Sequence, residues 1–194
     1  AAIPGVKVVV PSNPYDAKGL LMSAIQEDNL VVFSEDKTLL GQKGNVPEEP
    51  YTIEIGKANV TREGDDLTIV AIGKMVAVAE ETAEKLAEDQ VSVEVIDLRS
   101  VSPWDQETVL DSVKKTGRLI VIDESNPQCN IAGDVASVIG DVGFDYLDGP
   151  IKKVTAPDTP VPFAANLEAA YMPNADKVLD IASELIDDLK KANA

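Results

Sequence analysis

The segment DESNPQCN, residues 123–130, holds the side chains of this chain that are best suited to acid–base or covalent chemistry. Asp123 and Glu124 are adjacent, and Cys129 is the only cysteine among 194 residues. Two carboxyl groups can act as general acid and general base, and a cysteine at a helix N-terminus gains thiolate character. The segment is therefore either an active-site loop or the connection between two packed elements.

The absence of histidine narrows this choice. A chain without histidine cannot supply a Ser-His-Asp or Cys-His catalytic unit, or a zinc site of clustered cysteine and histidine. Adjacent residues at the end of a strand face opposite sides, which separates Asp123 from Glu124. We therefore expect capping and turn roles for the two acids and a small buried side chain, rather than a nucleophile, at Cys129.

Charge and composition exclude several classes of partner. The 34 acidic and 17 basic residues give a formal charge of -17, which repels phosphate backbones and anionic lipids. No apolar run approaches the roughly 20 residues of a membrane-spanning helix, and the first residues lack the pattern of a secretory signal. The sequence predicts a cytoplasmic protein with no nucleic acid or membrane partner.

The hydrophobic pattern alternates between strands and helices. Continuous apolar runs predict buried strands, and amphipathic stretches between them predict helices. Such alternation is typical of an α/β fold with a parallel-rich sheet covered by helices on both faces. A segment rich in Gly, Pro and charge at 36–51 predicts a domain boundary near residue 50. The strands are predicted at 6–12, 29–35, 66–73, 91–98, 118–124 and 151–157, and the helices at 12–28, 74–90, 102–117, 129–143 and 174–192.

Helix signals give more specific expectations. Ser12 or Asn13 is predicted to cap the first helix. Ser102 is predicted to cap the third and Gly117 to end it, with Pro103 at its first helical position and Asp105 in capping-box spacing. Apolar spacing places inward faces on the first and last helices. The predicted inward residues are Leu20, Leu21, Ala24 and Ile25 in the first helix, and Val178, Leu179, Ile181, Leu185, Ile186 and Leu189 in the last.

Three polar segments follow strands of the predicted sheet. The segments are IGKM at 72–75, DLRSVSPW at 97–104 and DESNPQCN at 123–130. Parallel α/β sheets bind ligands beyond the carboxyl ends of their strands, so these segments are expected to meet at a functional edge. No glycine-rich nucleotide motif of the common kinds accompanies them.

Long motifs resemble one family of enzyme subunits. They are IPGVKVVVPSNPYDAKGLLMSAIQEDNLVVFSEDKTLLG, VEVIDLRSVSPWDQETVLDSVKKTGRLIVIDES and APDTPVPFAANLEAAYMPNADKVL. Together they resemble the C-terminal part of the beta subunit of the thiamine-diphosphate-dependent dehydrogenases in 2-oxo acid dehydrogenase-type complexes. KGNVPEEPY, DESNPQCNIAGD and TPVPFAANLEAAYMPNA are most similar to acetoin dehydrogenase beta subunits, with pyruvate dehydrogenase second.

The resemblance implies a domain organisation. Residues 1–50 correspond to the C-terminal remnant of a thiamine pyrimidine-binding domain, and residues 51–194 to a transketolase C-terminal-like domain. In the family, thiamine diphosphate and Mg²⁺ support oxidative cleavage of acetoin or a 2-oxo acid, and the acyl fragment passes to a lipoyl group. The cofactor-activating glutamate and the active-site histidine are expected upstream of residue 1. The resemblance therefore implies no catalytic or cofactor-binding residue in this chain, which alone is expected to be inactive.

The resemblance also implies a cation site and a set of partners. Many relatives bind K⁺ at the turn that matches AIQEDN, so Ala24, Glu27 and Asn29 are the candidate ligands; an ordinary helix stop is the alternative. The implied partners are the alpha subunit, the lipoyl acyltransferase core and a second copy of the chain in a homodimer. A self-sufficient interaction module of the same fold is the competing interpretation of the whole chain.

Overall fold

The computed structural model describes the backbone of residues 1–192 and the side chains of residues 1–186. Strands and helices alternate along most of this length, as the hydrophobic pattern predicts. The strands are β1 (Lys7–Val9), β2 (Val31–Phe33), β3 (Asn59–Arg62), β4 (Leu67–Ala71), β5 (Val93–Asp97), β6 (Ser100–Ser102), β7 (Leu119–Ile122) and β8 (Lys152–Val154). The α-helices are α1 (Pro14–Gln26), α2 (Met75–Glu88), α3 (Gln106–Thr116), α4 (Ile131–Val142), α5 (Ala165–Tyr171) and α6 (Ala175–Ala192).

The strands form two sheets. The larger has the order β3-β5-β4-β7-β8, with β5, β4, β7 and β8 parallel and β3 antiparallel at the edge. The smaller has the order β2-β1-β6, in which β1 and β2 are parallel and β6 is antiparallel. Strand β6 lies in the second half of the chain but completes the sheet that begins with β1. The α/β class and the parallel-rich sheet are thereby confirmed.

Helices cover both faces of the larger sheet because successive residues of β4 point to opposite sides. Leu67, Ile69 and Ala71 pack in the cluster formed with α2 and α6. Val70 and Ile72 pack in the opposite cluster, which includes apolar residues of α3 and α4. Every residue of β4 is buried, which is why its sequence is apolar except for Thr68, whose hydroxyl is hydrogen-bonded to Ser112 and Thr116.

The predicted start of the third helix is wrong. Ser102 is the last residue of β6 and pairs with Val8 of β1, so it cannot cap a helix. Helix α3 begins at Gln106, because the carboxylate of Asp105 accepts the main-chain N–H of Thr108 at 3.2 Å. Ser102 and Asp105 are both of a residue type that caps helices. Because Ser102 pairs with β1, the helix begins after Asp105. The end at Gly117, in the left-handed conformation, is confirmed.

The predicted apolar face of α1 is only partly inward. Asn13 is the N-cap, and Leu20 is fully buried. Leu21 and Ile25, however, are 45% and 71% exposed. Helix spacing identifies the apolar face of α1 but not what packs against it. In the structure only the side that carries Leu20 is covered, and the side that carries Leu21 and Ile25 is exposed. In α6, Val178, Leu179, Ile181, Leu185 and Ile186 lie in or against the core as predicted, whereas Leu189 lies outside the described side chains.

Short elements were missed. Strands β3 and β6, helix α5 and the 3₁₀ turn at Phe144–Tyr146 have no counterpart in the predicted pattern. The two strands depend on pairing with β5 and β1, which are distant in sequence, and α5 has seven residues. Such elements carry too few turns or alternations to give a periodic signal. Within residues 1–192, no helix combines the length and the apolar character needed to cross a membrane.

Replacement of Gly64 by alanine should destabilise the larger sheet. A Cβ at Gly64 would lie 2.2 Å from the carbonyl carbon of Val93 and 2.3 Å from the nitrogen of Glu94, and backbone atoms cannot move aside cheaply. We expect Gly64→Ala to lower the free energy of unfolding by about 2 kcal/mol or more in urea titrations. Gly41→Ala is the matched control, since a Cβ there meets open space. Equal stabilities of the two variants would contradict this account.

Candidate functional site

Polar segments meet beyond the carboxyl ends of the strands, as predicted. Lys74 follows β4, Val101 lies in the DLRSVSPW segment, and Asp123 follows β7; all three line one cavity of about 320 Å³. Val10, after β1, and Asp36, after β2, complete its wall from the smaller sheet. The cavity therefore lies between the two sheets, where the first 36 residues contact the rest of the chain.

The position of the cavity follows from strand order. From β4 the chain passes through α2 to β5 on one side, whereas β7 and β8 lie on the other side of β4. The loops that leave β4 and β7 therefore diverge, because α2 and α4 pack on opposite faces of the sheet. Where the loops after two adjacent strands diverge in this way, a crevice opens between them, which is the usual ligand site of α/β sheets.

Lys74 connects the two walls of the cavity. Its ammonium lies 3.5 Å from the carboxylate of Asp36 and 3.0 Å from that of Glu124. Partial burial lowers the pKa of Lys74, but the hydrogen bonds and charges of Glu124 and Asp36 outweigh it and hold that pKa above its ordinary value. Lys74 therefore stays protonated and forms ion pairs with Asp36 and Glu124, which does not suit it to act as a proton donor.

The adjacent acids Asp123 and Glu124 both line the cavity but differ in burial. Asp123 is 2% exposed, whereas the side chain of Glu124 is 44% exposed. Oδ1 of Asp123 accepts the main-chain N–H of Ser125 at 2.9 Å, which stabilises the turn after β7. The two carboxyl groups therefore do not form an acid–base pair, in agreement with the expectation from strand geometry.

The expected burial of Cys129 is wrong. Cys129 is exposed and has a φ of 52°, in the left-handed region. The helix begins later than predicted, at Ile131, because Asn130 is the N-cap and accepts the N–H of Gly133 at 2.7 Å. Cys129 consequently lies in the turn before the helix, between the cavity beside Lys74 and a second cavity of about 680 Å³ next to Trp104.

A buried polar network joins the first segment to the larger sheet, and sequence reasoning missed it. Arg99 donates from Nε and Nη2 to the two carboxylate oxygens of Asp16, at 2.9 and 2.6 Å. The N–H of Arg99 donates to Asp97, which also accepts from the hydroxyl of Ser12. Asn13 donates to Asp16 at 2.9 Å, so the cap of α1 belongs to the same network.

Asp97 is fully buried at the end of β5. Burial raises the pKa of Asp97 to about 6, although the hydrogen bonds from Ser12 and from the N–H of Arg99 oppose that shift. Two sequence signals could have revealed the network. Asp97 ends a buried strand and is followed within two residues by an arginine, and Asp16 stands three residues after the cap Asn13.

The predicted cation ligands lie together at the C-terminal end of α1. Ala24 is in the last turn, Glu27 follows the helix, and the amide of Asn29 donates to Glu27 Oε1 at 3.2 Å. Within residues 1–186, the main-chain carbonyl oxygens of these three residues accept no protein hydrogen bond. Lys7 forms an ion pair with the carboxylate of Glu27 and places a positive charge beside them. Their role as ligands stays a prediction.

Comparison with known proteins gives a consistent result. Residues 56–178 match the family described as the C-terminal domain of transketolase. The chain is 54% identical over 185 residues to the beta subunit of acetoin:2,6-dichlorophenolindophenol oxidoreductase of Bacillus subtilis, covering 95% of this chain and 54% of the relative. It is 48% identical over 185 residues to the beta subunit of the pyruvate dehydrogenase E1 component of the same organism, covering 95% and 57%.

One solved structure extends the comparison to three dimensions. It is described as a split gene transketolase, an inactive beta4 tetramer, and superposes with a TM-score of 0.81 at 25% identity. The match covers 96% of this chain and 59% of that chain. The chain thus spans about half the length of the curated relatives it matches.

The buried carboxyl group of Asp97 should make stability depend on pH. Because the folded pKa of about 6 exceeds the unfolded value near 3.9, the folded state binds the proton more tightly, and stability falls as pH rises through this interval. Relative to Asp97→Asn, the protein should lose roughly 2–3 kcal/mol of unfolding free energy between about pH 4 and 7. Urea titrations across this range measure it.

Asp105 provides the control. Burial raises the pKa of Asp105, but hydrogen bonds from Thr108 and the N–H of Ala58 outweigh it and lower that pKa. Its contribution to stability is present above the unfolded pKa and is lost as pH falls. The stability difference between the protein and Asp105→Asn should therefore grow with rising pH. Parallel pH profiles for the two variants would contradict the analysis of Asp97.

Proposed function

Since the chain belongs to the transketolase C-terminal domain family, we propose that it is the C-terminal part of the beta subunit of a thiamine-diphosphate-dependent acetoin dehydrogenase. Higher identity to the acetoin enzyme's subunit, 54% against 48% for pyruvate dehydrogenase, supports acetoin as the substrate. Pyruvate or another 2-oxo acid is the alternative. We place the protein in the cytoplasm, where a single cysteine is kept reduced.

This chain's own residues do not fit thiamine diphosphate. The cavity at the carboxyl edge carries the carboxylates of Asp36, Asp123 and Glu124, and its lysine is already paired with two of them. A diphosphate would meet net negative charge there. The cofactor and its Mg²⁺ therefore belong to other parts of the enzyme, and we assign this part to subunit assembly.

The observation that carries the assembly role is a projecting arm, residues 157–170. All of it is exposed except Pro162, which is partly buried, and the side chain of Phe163 is fully exposed. The arm includes most of α5, and a seven-residue helix with almost no packed face is not stable on its own in water. The arm therefore requires a surface from another chain.

The segment DESNPQCN, residues 123–130, contacts the base of the arm. Asn126 donates to the carbonyl oxygen of Pro157 at 3.1 Å, and Gln128 donates to the carboxylate of Asp158 at 3.0 Å. The hydroxyl of Tyr171 donates to the carbonyl oxygen of Thr159 at 3.3 Å. DESNPQCN thus fixes the base of the arm to the domain.

The composition of the arm favours a second copy of the chain as the partner. Two chains of charge -17 repel each other over most of their surfaces, but residues 159–167 carry no charge. Val161, Phe163 and Leu167 provide exposed apolar area in this stretch. We therefore propose a homodimer through the transketolase C-terminal-like domain, residues 51–194. The relative described as a beta4 tetramer supports self-association.

Two further partners follow from the family. The alpha subunit would complete the dehydrogenase, and the surplus of acid suits a basic docking domain of the lipoyl acyltransferase core. Residues 1–50 would be the remnant of a pyrimidine-binding domain. Its exposed Leu21, Ile25 and Leu30 would then pack against further elements of that domain. The same surfaces would also suit a self-sufficient interaction module, which the next two experiments distinguish.

Substitution of Phe163 should disrupt self-association. We expect light scattering to report a dimer at micromolar concentration, and a monomer for Phe163→Glu, because a charge would enter an apolar contact. Phe144→Glu is the matched control, since Phe144 is 72% exposed at a different site, the first residue of the 3₁₀ turn. A monomeric parent protein, or equal effects of both substitutions, would refute the proposed interface.

The catalytic assignment is tested with and without the other parts of the enzyme. Calorimetric titration of this chain with thiamine diphosphate and Mg²⁺ should show no micromolar binding. The beta subunit that contains this chain, assembled with its alpha partner, should use acetoin with a higher kcat/KM than pyruvate. Binding of the cofactor by the chain alone would contradict the assignment to assembly, and a preference for pyruvate would favour the alternative substrate.

The turn after α1 is a proposed K⁺ site. Ala24, Glu27 and Asn29 present free carbonyl oxygens, the donors that suit hard cations. A bound ion would supply structural cross-linking and no chemistry. For the beta subunit that contains this chain, KCl should raise the unfolding temperature above that in NaCl of equal ionic strength, increasingly with concentration. Identical unfolding temperatures would indicate an ordinary helix end.

A further inference from the structure

The first segment, residues 1–36, is joined to the larger sheet mainly by polar contacts. Among the residues that the structure describes, the buried members of the two apolar clusters on this sheet begin at Leu67, and within the segment only Val10 packs against one of them. The main-chain connection is the pairing of β1 with β6, two strands of three residues each. Lys74 and Asp36 add an ion pair. Because this junction buries little apolar area, polar groups decide whether the segment stays docked.

One arginine serves two buried carboxyl groups at this junction. Arg99 donates from its guanidinium to Asp16 of α1 at 2.9 and 2.6 Å, and from its main-chain N–H to Asp97 of β5 at 2.9 Å. Asp16 and Asp97 are at most 1% exposed. Ser12 donates its hydroxyl to Asp97, so the cluster of these four residues spans the junction. With both acids ionised, it holds two negative charges and one positive charge away from water, which is costly.

The surroundings of Asp97 supply no further cation within the described part of the chain. The charged groups that act on its carboxyl group are Asp16 from α1 and Arg99 from the turn after β5. Its partners in the neighbouring strands, Asn59 of β3 and Ala71 of β4, carry no charge, and the side of α2 that packs on β5 is apolar. Burial raises the pKa of Asp97 to about 6, the charge of Asp16 adds to the shift, and hydrogen bonds oppose it. A proton on Asp97 makes the cluster neutral.

We propose that this cluster is a proton-controlled latch between the first segment and the larger sheet. With Asp97 protonated, the cluster is neutral and the segment stays docked. With Asp97 ionised, two carboxylates share one guanidinium, and the segment opens more often while the larger sheet stays folded. Opening separates Val10, Ser34 and Asp36 from the opposite wall of the cavity between the sheets, so the latch controls access to that cavity. The device goes beyond the assembly role, which rests on residues 157–170, and is independent of the substrate.

The direction of the pH dependence follows from linkage. The docked state binds the proton of Asp97 more tightly than an open state in which water reaches the carboxyl group. Docking therefore weakens as pH rises from about 4 to about 7 and is constant at higher pH. Burial opposes the charges of the second pair at the junction, but its contacts outweigh burial, raising the pKa of Lys74 and lowering that of Asp36. That pair stays charged across the interval and leaves Asp97 as the group that titrates.

Amide hydrogen exchange of the chain, followed by NMR, tests the latch. The N–H of Val10 donates to the carbonyl oxygen of Arg99 at 2.8 Å across the junction and is the reporter. Its protection factor, which corrects for the intrinsic pH dependence of exchange, should be lower than those in β4, because the segment opens without global unfolding. It should fall roughly tenfold between about pH 5 and 7. Equal protection of Val10 and β4 would mean that the segment opens only with the whole chain, and would overturn the proposal.

Substitutions separate the proton from a simple loss of contacts. In Asp97→Asn the protection of Val10 should change by less than about twofold across this pH range, whereas Asp105→Asn, at a buried carboxyl group of lowered pKa, should retain the fall. Ser12→Ala should move the fall to higher pH, because the lost hydrogen bond favours the ionised form of Asp97.

Two results would refute the latch even if Asp97→Asn does not fold. One is an equal loss of protection at every pH in Ser12→Ala, which would indicate a structural contact alone. The other is a carbon-13 titration of the Asp97 carboxyl group in the parent protein with a midpoint at the ordinary value near pH 4. The latch requires a midpoint of about 6.

Discussion

The buried ion pair between Arg99 and Asp16 determines how the two sheets of this protein are joined. Arg99 reaches from the end of β5 to the first turn of α1, and its carbonyl oxygen accepts the N–H of Val10 after β1. Removing one partner of such a pair leaves an uncompensated charge that typically costs about 3–5 kcal/mol. A shift of α1 relative to the end of β5 would therefore break this pair, which helps to hold the smaller sheet against the larger one.

A single connection after β7 serves two surfaces at once. Its first residue, Asp123, faces the cavity between the sheets, and Asn126 and Gln128 hold the base of the arm. The sequence leaves open whether this segment is an active-site loop or a structural connection. Its side-chain contacts favour a structural connection. The acids do not work as a pair, and the amide side chains have a structural use that no catalytic motif describes.

Periodic patterns predicted the fold better than they predicted the site. The segments that form β4, β5 and β7 are buried on both faces, so their mainly apolar sequences were enough to predict the strands of the larger sheet. Caps and contacts depend on the partner across space: pairing of Ser102 with β1 moved the start of α3, and a cap at Asn130 left Cys129 exposed. The nearby Asp97 and Arg99 give a local polar signal, but the partner of Arg99 in α1 lies 83 residues away in the sequence, so the pairing itself could not be predicted.

The exposure of Cys129 gives the chain a natural attachment point for a spectroscopic probe. As the sole thiol in the sequence, it can be coupled to a fluorophore or a nitroxide without prior removal of other cysteines. Its neighbours on one side line both cavities, and Gln128 on the other contacts the arm. A fluorophore at this position would therefore report local polarity beside the cavities, and a nitroxide would report rotational mobility when the arm is covered.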